Sequence, residues 1–502
     1  MPTDRPVVLA PLRVEARALR RGAPRLDVRR TGAGPVRAAR AVAALAATGR
    51  PPAIAVAGVA GGLAPGMVPG TIVVADRVLA ADGTLIATLS SAAVIAGDLR
   101  RRGLPVVVGS VVSTPSVIHG AERRSALARL GAVAVDTETA YALAPRWDVP
   151  TAVIRVVADT AERELWSPAT ITGGWTALRH LGAAAPTLET WAAAVTARHL
   201  LLAGPRSFCA GVERAISTVE RALDQFGQPV YVRRQIVHNR HVVEGLESRG
   251  AVFVEELSEV PDGSTVILSA HGVSPAVRSE ASGRDLRVID ATCPLVSKVH
   301  HEVRRFAAKG YQVVMIGHPG HDETEGTLGE SEGMRLVTTR EEVGQLVVAD
   351  PDRLAYITQT TLSPDDVAGI VSELSARYPS IVGPHAADIC YATQNRQDAV
   401  TAIAAECDLV LVIGSTNSSN AARLVEVAER AGTPAVLVED DAALALERLA
   451  GAATIGVTAA ASTPPDLVEG VVATLRALGP VTVEERPTKT ENVNFPLPVE
   501  VR

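Results

Sequence analysis

The chain has 502 residues, with 49 Lys+Arg against 55 Asp+Glu and a formal net charge of -6 at pH 7. That balance excludes the basic surface with which nucleic-acid binders displace counterions from phosphates. With 47% hydrophobic and 21% charged residues, disorder is excluded over most of the length. Single cores stop growing near about 250–300 residues, so a chain this long holds at least two domains. Only 3% of it is aromatic, which leaves the cores to Ala, Val, Leu and Ile.

The residues up to Leu12 hold an apolar run too short for a secretion signal, and no stretch reaches the ~20 uninterrupted apolar residues of a membrane span. A cytoplasmic protein is expected. In that reducing compartment Cys209, Cys293, Cys390 and Cys407 are not expected to pair as disulfides, which leaves buried fillers or ligands.

From Val7 onward, short β-branched runs alternate with Ala-, Arg- and Glu-rich helical stretches, the pattern of parallel-sheet α/β proteins. Strands are predicted at Val7 to Ala10, Ala53 to Val59, Thr71 to Ala75, Val106 to Val112, Ala132 to Val135 and Ala152 to Val157. From Ala161 to His199 the alternation gives way to Ala-rich helix, and the domain junction is placed there, between 1–198 and 199–502. A second series of strands is predicted at Leu200 to Ala203, Val230 to Val232, Thr265 to Ser269, Val288 to Ile289, Val313 to Ile316, Leu354 to Ile357, Leu409 to Ile413 and Thr454 to Val457. The Pro-rich stretch from Val481 to Arg502 reads as an extended arm.

Ligands of open α/β sheets bind at the carboxyl ends of the strands, and the loops there carry the unusual residues. They contain Gly204 to Gly211 with Cys209, Ile236 to Arg240 with His238, Ser269 to Val273 with His271, and Asp290 to Pro294 with Cys293. Next come Gly317 to Glu323 with His318 and His321, Thr358 to Thr361, Asp388 to Thr393 with Cys390, Gly414 to Asn420, and Ala461-Ser462. A buried, inert cysteine fits Cys407, which has no polar loop around it. The other three are separated by stretches of similar length, as if three lobes each gave one thiolate. Zinc is one possible guest, although structural zinc sites use paired Cys-x-x-Cys. A 4Fe-4S cluster normally takes four cysteines, so three would leave one iron open to substrate as a Lewis acid.

The motifs Pro205-Arg206-Ser207-Phe208-Cys209-Ala210-Gly211-Val212, Ile236-Val237-His238-Asn239, Ser269-Ala270-His271-Gly272-Val273-Ser274, Asp290-Ala291-Thr292-Cys293-Pro294, Thr358-Gln359-Thr360-Thr361, Ile389-Cys390-Tyr391-Ala392-Thr393 and Asn417-Ser418-Ser419-Asn420 occur in order. In them the region from Leu200 to Arg502 resembles the 4-hydroxy-3-methylbut-2-enyl diphosphate reductase family. The resemblance implies three α/β lobes around a central 4Fe-4S cluster held by Cys209, Cys293 and Cys390. It further implies that His238, His271, His321, Thr360, Ser418, Ser419, Asn420 and Ser462 bind the allylic diphosphate and that Glu323 delivers protons. Electrons would come from a ferredoxin or flavodoxin, because no Gly-x-Gly-x-x-Gly opens a helix after a strand here. Ser418 to Asn420 open a predicted helix, where free N–H groups favour a diphosphate. The loop reads His321-Asp322-Glu323 where many relatives of that family have Pro in the middle. His318 is expected to be structural, and His300 and His301 to be solvated.

The first part resembles the purine nucleoside phosphorylase and nucleosidase superfamily, in Gly58-Val59-Ala60-Gly61-Gly62-Leu63, Val135-Asp136-Thr137-Glu138 and Arg155-Val156-Val157-Ala158-Asp159. The hopanoid-associated phosphorylase is the nearest flavour. The resemblance implies that Glu138 holds ribose hydroxyls, Asp159 protonates a leaving purine and Glu15 positions a water or phosphate. Gly32-Ala33-Gly34 before a helix offers a phosphate cradle. Thr137 and Ala158 stand where Met and Ser are expected. Two other readings are a lyase that uses the cluster only as a Lewis acid, as quinolinate synthase does, and an N-terminal domain that is a non-catalytic scaffold. The lyase substrate would be a carboxylate held by Arg206 or Arg240.

Overall fold

The computed structural model describes residues 5–145, 147–160, 168–384 and 388–502, and of 168–171 the backbone alone. The expected junction therefore begins, at Ala161, outside the described residues. Two compact units emerge. One comprises Met1–His199 with Asp440–Ala453 and Glu469–Thr482, the other Leu200–Glu439, Thr454–Val468 and Val483–Arg502. Among the described residues no helix is long and apolar enough to cross a membrane.

The first unit is built on β1 (Val7–Ala10), β2 (Asp27–Arg30), β3 (Ile54–Gly62), β4 (Ile72–Ala80), β5 (Leu85–Thr88), β6 (Val106–Ser113), β7 (Ala132–Asp136) and β8 (Thr151–Asp159). Their order is β2-β1-β3-β7-β6-β4-β5, and β8 pairs with both β3 and β4. The strands β3, β7, β6, β4 and β8 thus form a closed ring that leaves no free edge among them. The sheet is mixed rather than parallel, since β3–β7, β4–β5 and β4–β8 run antiparallel. Its core consists of small aliphatic side chains, among them Val7, Leu9, Ile54, Val56, Val73, Val111 and Val153.

The second unit continues with β9 (Arg198–Gly204), β10 (Val230–Arg233), β11 (Ala251–Val254), β12 (Thr265–Leu268), β13 (Arg287–Asp290), β14 (Gln312–Ile316), β15 (Arg335–Val337), β16 (Leu354–Thr358), β17 (Leu409–Ile413), β18 (Ala435–Val438), β19 (Thr454–Ala459) and β20 (Val481–Pro487). They form three separate sheets, β18-β17-β19-β9-β20, β11-β10-β12-β13 and β15-β14-β16, which define a first, second and third lobe. The arm expected from Val481 onward therefore begins as an edge strand beside β9, and only the segment beyond Pro487 is irregular, until the short turn Val499–Val501.

The lobes are stitched in a cycle by three helices. The helix Ala210–Phe226 leaves the first lobe after β9, yet its Ala215, Val219 and Ala222 pack with Val230, Val232 and Ile267 of the second. The helix Pro294–Ala308 leaves the second lobe after β13 and buries Val299, Val303 and Phe306 against Val313, Met315 and Ile357 of the third. The helix Tyr391–Ala404 returns, with Ala399 and Ile403 against Leu201 and Ala203 of the first lobe and Val400 against Val410 and Val412. The residue before each helix is a cysteine.

Because Leu411 is buried at the centre of β17, Leu411→Ala removes core contacts without touching a site loop. It should cost about 2–5 kcal/mol and lower the urea midpoint of the second unit, a shift that circular dichroism measures.

Candidate active site

The three helix-leading cysteines converge. Cys209, Cys293 and Cys390 line one cavity together with His238, His271, His321, Glu323, Thr360, Ser418, Ser419, Asn420 and Ser462. The structure thus brings every residue expected at the C-terminal site to one place. Each lobe gives its share: Cys209, the serines and Asn420 from the first, Cys293, His238 and His271 from the second, and Cys390, His321, Glu323 and Thr360 from the third. Cys407 lies away from it, with its Sγ 3.2 Å from the Ile403 carbonyl.

Each cysteine is anchored within its own lobe by its backbone N–H, Cys209 to Ala461 O at 3.2 Å, Cys293 to Ala270 O at 2.9 Å and Cys390 to Thr360 O at 2.9 Å. The thiols crowd one another so closely that a Cβ added at Gly211 would stand 2.7 Å from Cys293 Sγ and 3.8 Å from Cys209 Sγ. Burial, followed by the nearby thiols against partial relief from backbone N–H groups, pushes Cys293 up to about 12 and Cys390 up to about 11. Thiols so placed shed their protons only to a cation that replaces them.

The opposite wall is polar. Ser418 caps the helix Ser419–Arg430 by accepting Ala421 N–H at 3.3 Å, which leaves its own hydroxyl hydrogen to donate. Asn420 is buried, and neither its Oδ1 nor its Nδ2 has a hydrogen-bond partner. His238 Nε2 and His271 Nδ1 are likewise unpartnered, and the two rings stack at 4.0 Å between centroids. Leaving several buried polar atoms unsatisfied is costly; acceptor oxygens on a ligand relieve Asn420 Nδ2 and the imidazole N–H groups, while Asn420 Oδ1 needs a donor. Ser462 donates to His238 O at 3.0 Å, joining first and second lobes behind the imidazoles.

The imidazoles are neutral here. Burial lowers His238 and His271, the latter well below its ordinary value, and holds His321 at about 4. His321 caps the helix Asp322–Leu328 by accepting Glu323 N–H on Nδ1 at 3.1 Å. Its neutral tautomer therefore carries the hydrogen on Nε2. Asp322, at the position of the sequence departure, ion-pairs with Arg234 and lies 4.0 Å from His238 Nε2 and 3.8 Å from His271 Nδ1. No lysine or arginine is among the residues lining the cavity.

Glu323 is fully enclosed and accepts Thr360 N–H at 2.7 Å and the Thr360 hydroxyl at 2.9 Å. Burial outweighs these bonds and raises its carboxyl to about 7. Near neutral pH both forms of this carboxyl are therefore populated.

One expectation changes. His300 is buried rather than solvated, with Nδ1 2.8 Å from Glu330, whose carboxylate has no exposure and also binds Arg304. The reason is that its helix face packs under Gly272, where a Cβ would stand 2.9 Å from the ring. His301, one residue on, is exposed. The arginines that a carboxylate substrate would need are engaged outside the cavity: Arg206 forks onto Glu485 at 2.8 Å through both nitrogens, and Arg240 lies 3.7 Å from Glu244. Asp388 accepts Thr358 N–H at 3.1 Å, bracing its loop. His318 contacts Arg423 at 3.2 Å.

In the first unit Glu15, Glu138 and Asp159 also line one cavity, of about 290 Å³, with Arg124, Asp136 and Thr114. Glu15 accepts Val59 N–H at 2.8 Å and Leu12 N–H at 2.6 Å, and burial raises its carboxyl. Glu138 accepts Gly34 N–H at 2.8 Å. Within the expected phosphate cradle of Gly32 to Gly34, the Gly34 N–H is thus already taken by the protein's own Glu138 side chain. Asp159 ion-pairs with Arg124. The buried Arg155, which pairs with Asp136 and bonds Thr139 at 2.7 Å, was not anticipated.

With this geometry in place the comparisons are informative. Residues 200–476 match the model of the LytB protein family, and the chain belongs to it. Residues 28–179 match the phosphorylase superfamily. A 4-hydroxy-3-methylbut-2-enyl diphosphate reductase of Bordetella pertussis is 59% identical over 300 residues, 60% of this chain and 92% of the relative. The reductase of that name from Azoarcus sp. is 58% identical over 304 residues, 60% of this chain and 97% of the relative. A solved structure of the E-1-hydroxy-2-methyl-but-2-enyl-4-diphosphate reductase from Plasmodium falciparum superposes with a TM-score of 0.59 at 40% identity, covering 61% of this chain and 97% of that one.

Because the Glu323 carboxyl lies near 7, its protonated fraction falls as pH rises through that value. Turnover limited by this proton should drop between about pH 6 and pH 8. Glu323→Gln should lose at least the ~100-fold typical of a missing general acid and, in a steady-state pH profile, the descending limb with it.

Proposed function

We infer that the chain is an iron–sulfur oxidoreductase that reduces 4-hydroxy-3-methylbut-2-enyl diphosphate to isopentenyl and dimethylallyl diphosphates. Two electrons and two protons are consumed and the allylic hydroxyl leaves as water. The observation that carries this reading is the convergence of three cysteine thiols and a wall of polar groups without hydrogen-bond partners on one cavity, in a chain with relatives 59% and 58% identical that bear that reductase's name.

The donor set fits a cluster: three soft sulfurs, one per lobe, two of which, Cys293 and Cys390, are held above the usual thiol range until a metal takes the proton's place. Cys209, Cys293 and Cys390 would hold a 4Fe-4S cluster. When bound it supplies the electrons and an iron without a cysteine ligand, which acts as a Lewis acid toward the hydroxyl.

The chain's own groups do the rest. Ser418, Ser419, Asn420 and Ser462 receive the diphosphate at helix N-termini, where N–H groups point at the anion. His238, His271 and His321 donate to its oxygens, and as the anion arrives these neutral rings gain protons, since a neighbouring negative charge favours imidazolium. Glu323 and the Thr360 hydroxyl hold a proton facing the reacting carbons. In the cytoplasm a ferredoxin or flavodoxin serves as electron donor. Residues 199–502 suffice for this chemistry.

The first part, residues 1–198, acts separately as a phosphorylase- or nucleosidase-like domain, with Glu15, Glu138 and Asp159 around its own cavity. Asp159 protonates a leaving base only after its pair with Arg124 parts.

Anaerobic purification followed by iron and sulfide counts, then incubation with the allylic diphosphate and a strong reductant, tests the main reading. Iron-loaded protein that forms both five-carbon diphosphates supports it, and iron-loaded protein that never consumes electrons would favour the lyase. For the first part, Asp159→Asn should leave this reduction unchanged. Loss of reduction in that variant, scored with purine-nucleoside cleavage in parallel, would show that the two halves are not independent.

A further inference from the structure

Each of the three helices led by a cysteine carries a basic residue about one and a half turns in: Arg214 after Cys209, Lys298 after Cys293 and Arg396 after Cys390. Each reaches the loop of a different cysteine. Arg214 Nη1 donates to Ala291 O and Thr292 O, both at 3.0 Å, the two carbonyls before Cys293. Lys298 Nζ lies 3.5 Å from Asp388 Oδ1, two residues before Cys390. Arg396 is fully buried and donates to Ser207 O at 3.1 and 2.6 Å and to Phe208 O at 3.2 Å, the two carbonyls before Cys209.

The contacts close a ring in the same direction as the helix packing, from first lobe to second to third and back. They are directed at backbone that needs holding. Ser207 sits at φ 63, a left-handed conformation uncommon for a residue with a side chain, and Arg396 grips its carbonyl with two N–H groups. A planar guanidinium suits this better than an ammonium, since its donors are fixed in a fork.

The C-terminal stretch locks two of the three. Glu491 accepts Arg396 Nη1 at 3.1 Å and Asn395 Nδ2 at 2.9 Å, and Pro496 O accepts Arg214 Nε at 2.8 Å. Lys298 is held differently, through Asp388, which Thr358 N–H braces in turn. All of these residues belong to the second unit.

We propose that Arg214, Lys298 and Arg396 are positioning residues that form a cyclic clasp, each fixing the cysteine loop of the next lobe so that the three sulfurs meet at the spacing the metal group requires. Because Arg396 and Lys298 are themselves ion-paired, with Glu491 and Asp388, the clasp acts through the geometry of the loops it holds. This rests on the cluster reading above, but the clasp itself is a property of the protein and is testable without the metal.

The test uses the full chain, with Lys298→Met, Arg214→Lys and Arg396→Lys as single variants. Lys298→Arg serves as the conservative control, and Arg206→Lys as a control near Cys209 outside the ring. Iron per chain is counted on the protein as purified. The metal is then removed anaerobically, and alkylation of each cysteine by iodoacetamide is followed by peptide mass spectrometry. We expect crosswise effects: labelling rises several-fold at Cys390 in Lys298→Met, at Cys293 in Arg214→Lys and at Cys209 in Arg396→Lys, with iron retention lowered in all three. Lys298→Arg and Arg206→Lys should stay near the parent. A rise at the cysteine that leads the altered helix, an equal rise at all three, or no rise would overturn the clasp. Lys298 is the decisive position because its side chain is one-third exposed and its loss is least able to unfold the chain. A parent chain that binds no iron would contradict the cluster reading while leaving the labelling pattern to judge the clasp.

Discussion

Three cysteine sulfurs gathered around one cavity cannot all ionise unaided. Removal from water and mutual repulsion both oppose the thiolate, and the rise of Cys293 to about 12 and Cys390 to about 11 expresses that opposition. The second unit is organised around this constraint. Each sulfur stands at the N-terminus of a helix, where the dipole favours negative charge. Each of those helices crosses to the next lobe, so the hydrophobic packing that stabilises the fold is the same packing that draws the sulfurs together.

The polar wall obeys a related rule. A protein that evolved only for stability would not leave Asn420, His238 Nε2 and His271 Nδ1 buried without partners. These groups lie in one cavity with the sulfurs and with a carboxyl near 7, so soft donors, unpartnered polar groups and a titratable carboxyl meet in one place.

Much of this was legible in the sequence, because strand-end loops dense in Cys, His, Ser and Thr have no structural reason to be so. The β-branched runs at Val313 and Leu409 and their parallel pairing were readable from periodicity alone. The strands missed, Asp27–Arg30, Leu85–Thr88, Ala251–Val254, Arg335–Val337, Ala435–Val438 and Val481–Pro487, all lie at sheet edges; Asp27–Arg30, Arg335–Val337 and Val481–Pro487 carry charged residues in place of an apolar run, and the others are only four residues long. The ring of the first unit was hidden because antiparallel closure by β7 and β8 is a tertiary choice that no local pattern encodes. His300 was misjudged since its burial depends on Gly272, close in space and remote in sequence. The clasp had a sequence signal, a basic residue five or six positions after each cysteine, but only the packing of each helix on a neighbouring lobe gives that spacing meaning.

The central claim is that three cysteines from three lobes hold one cluster with an iron left for substrate. Mössbauer spectroscopy of the full chain, loaded with 57Fe under anaerobic conditions, tests it most directly. The account predicts a minority iron, one in four, whose parameters differ from those of the sulfur-ligated majority and shift when the allylic diphosphate is added, and the loss of the whole signal in Cys293→Ser. Four equivalent irons that ignore the diphosphate, or a Cys293→Ser chain that keeps the parent spectrum, would contradict it.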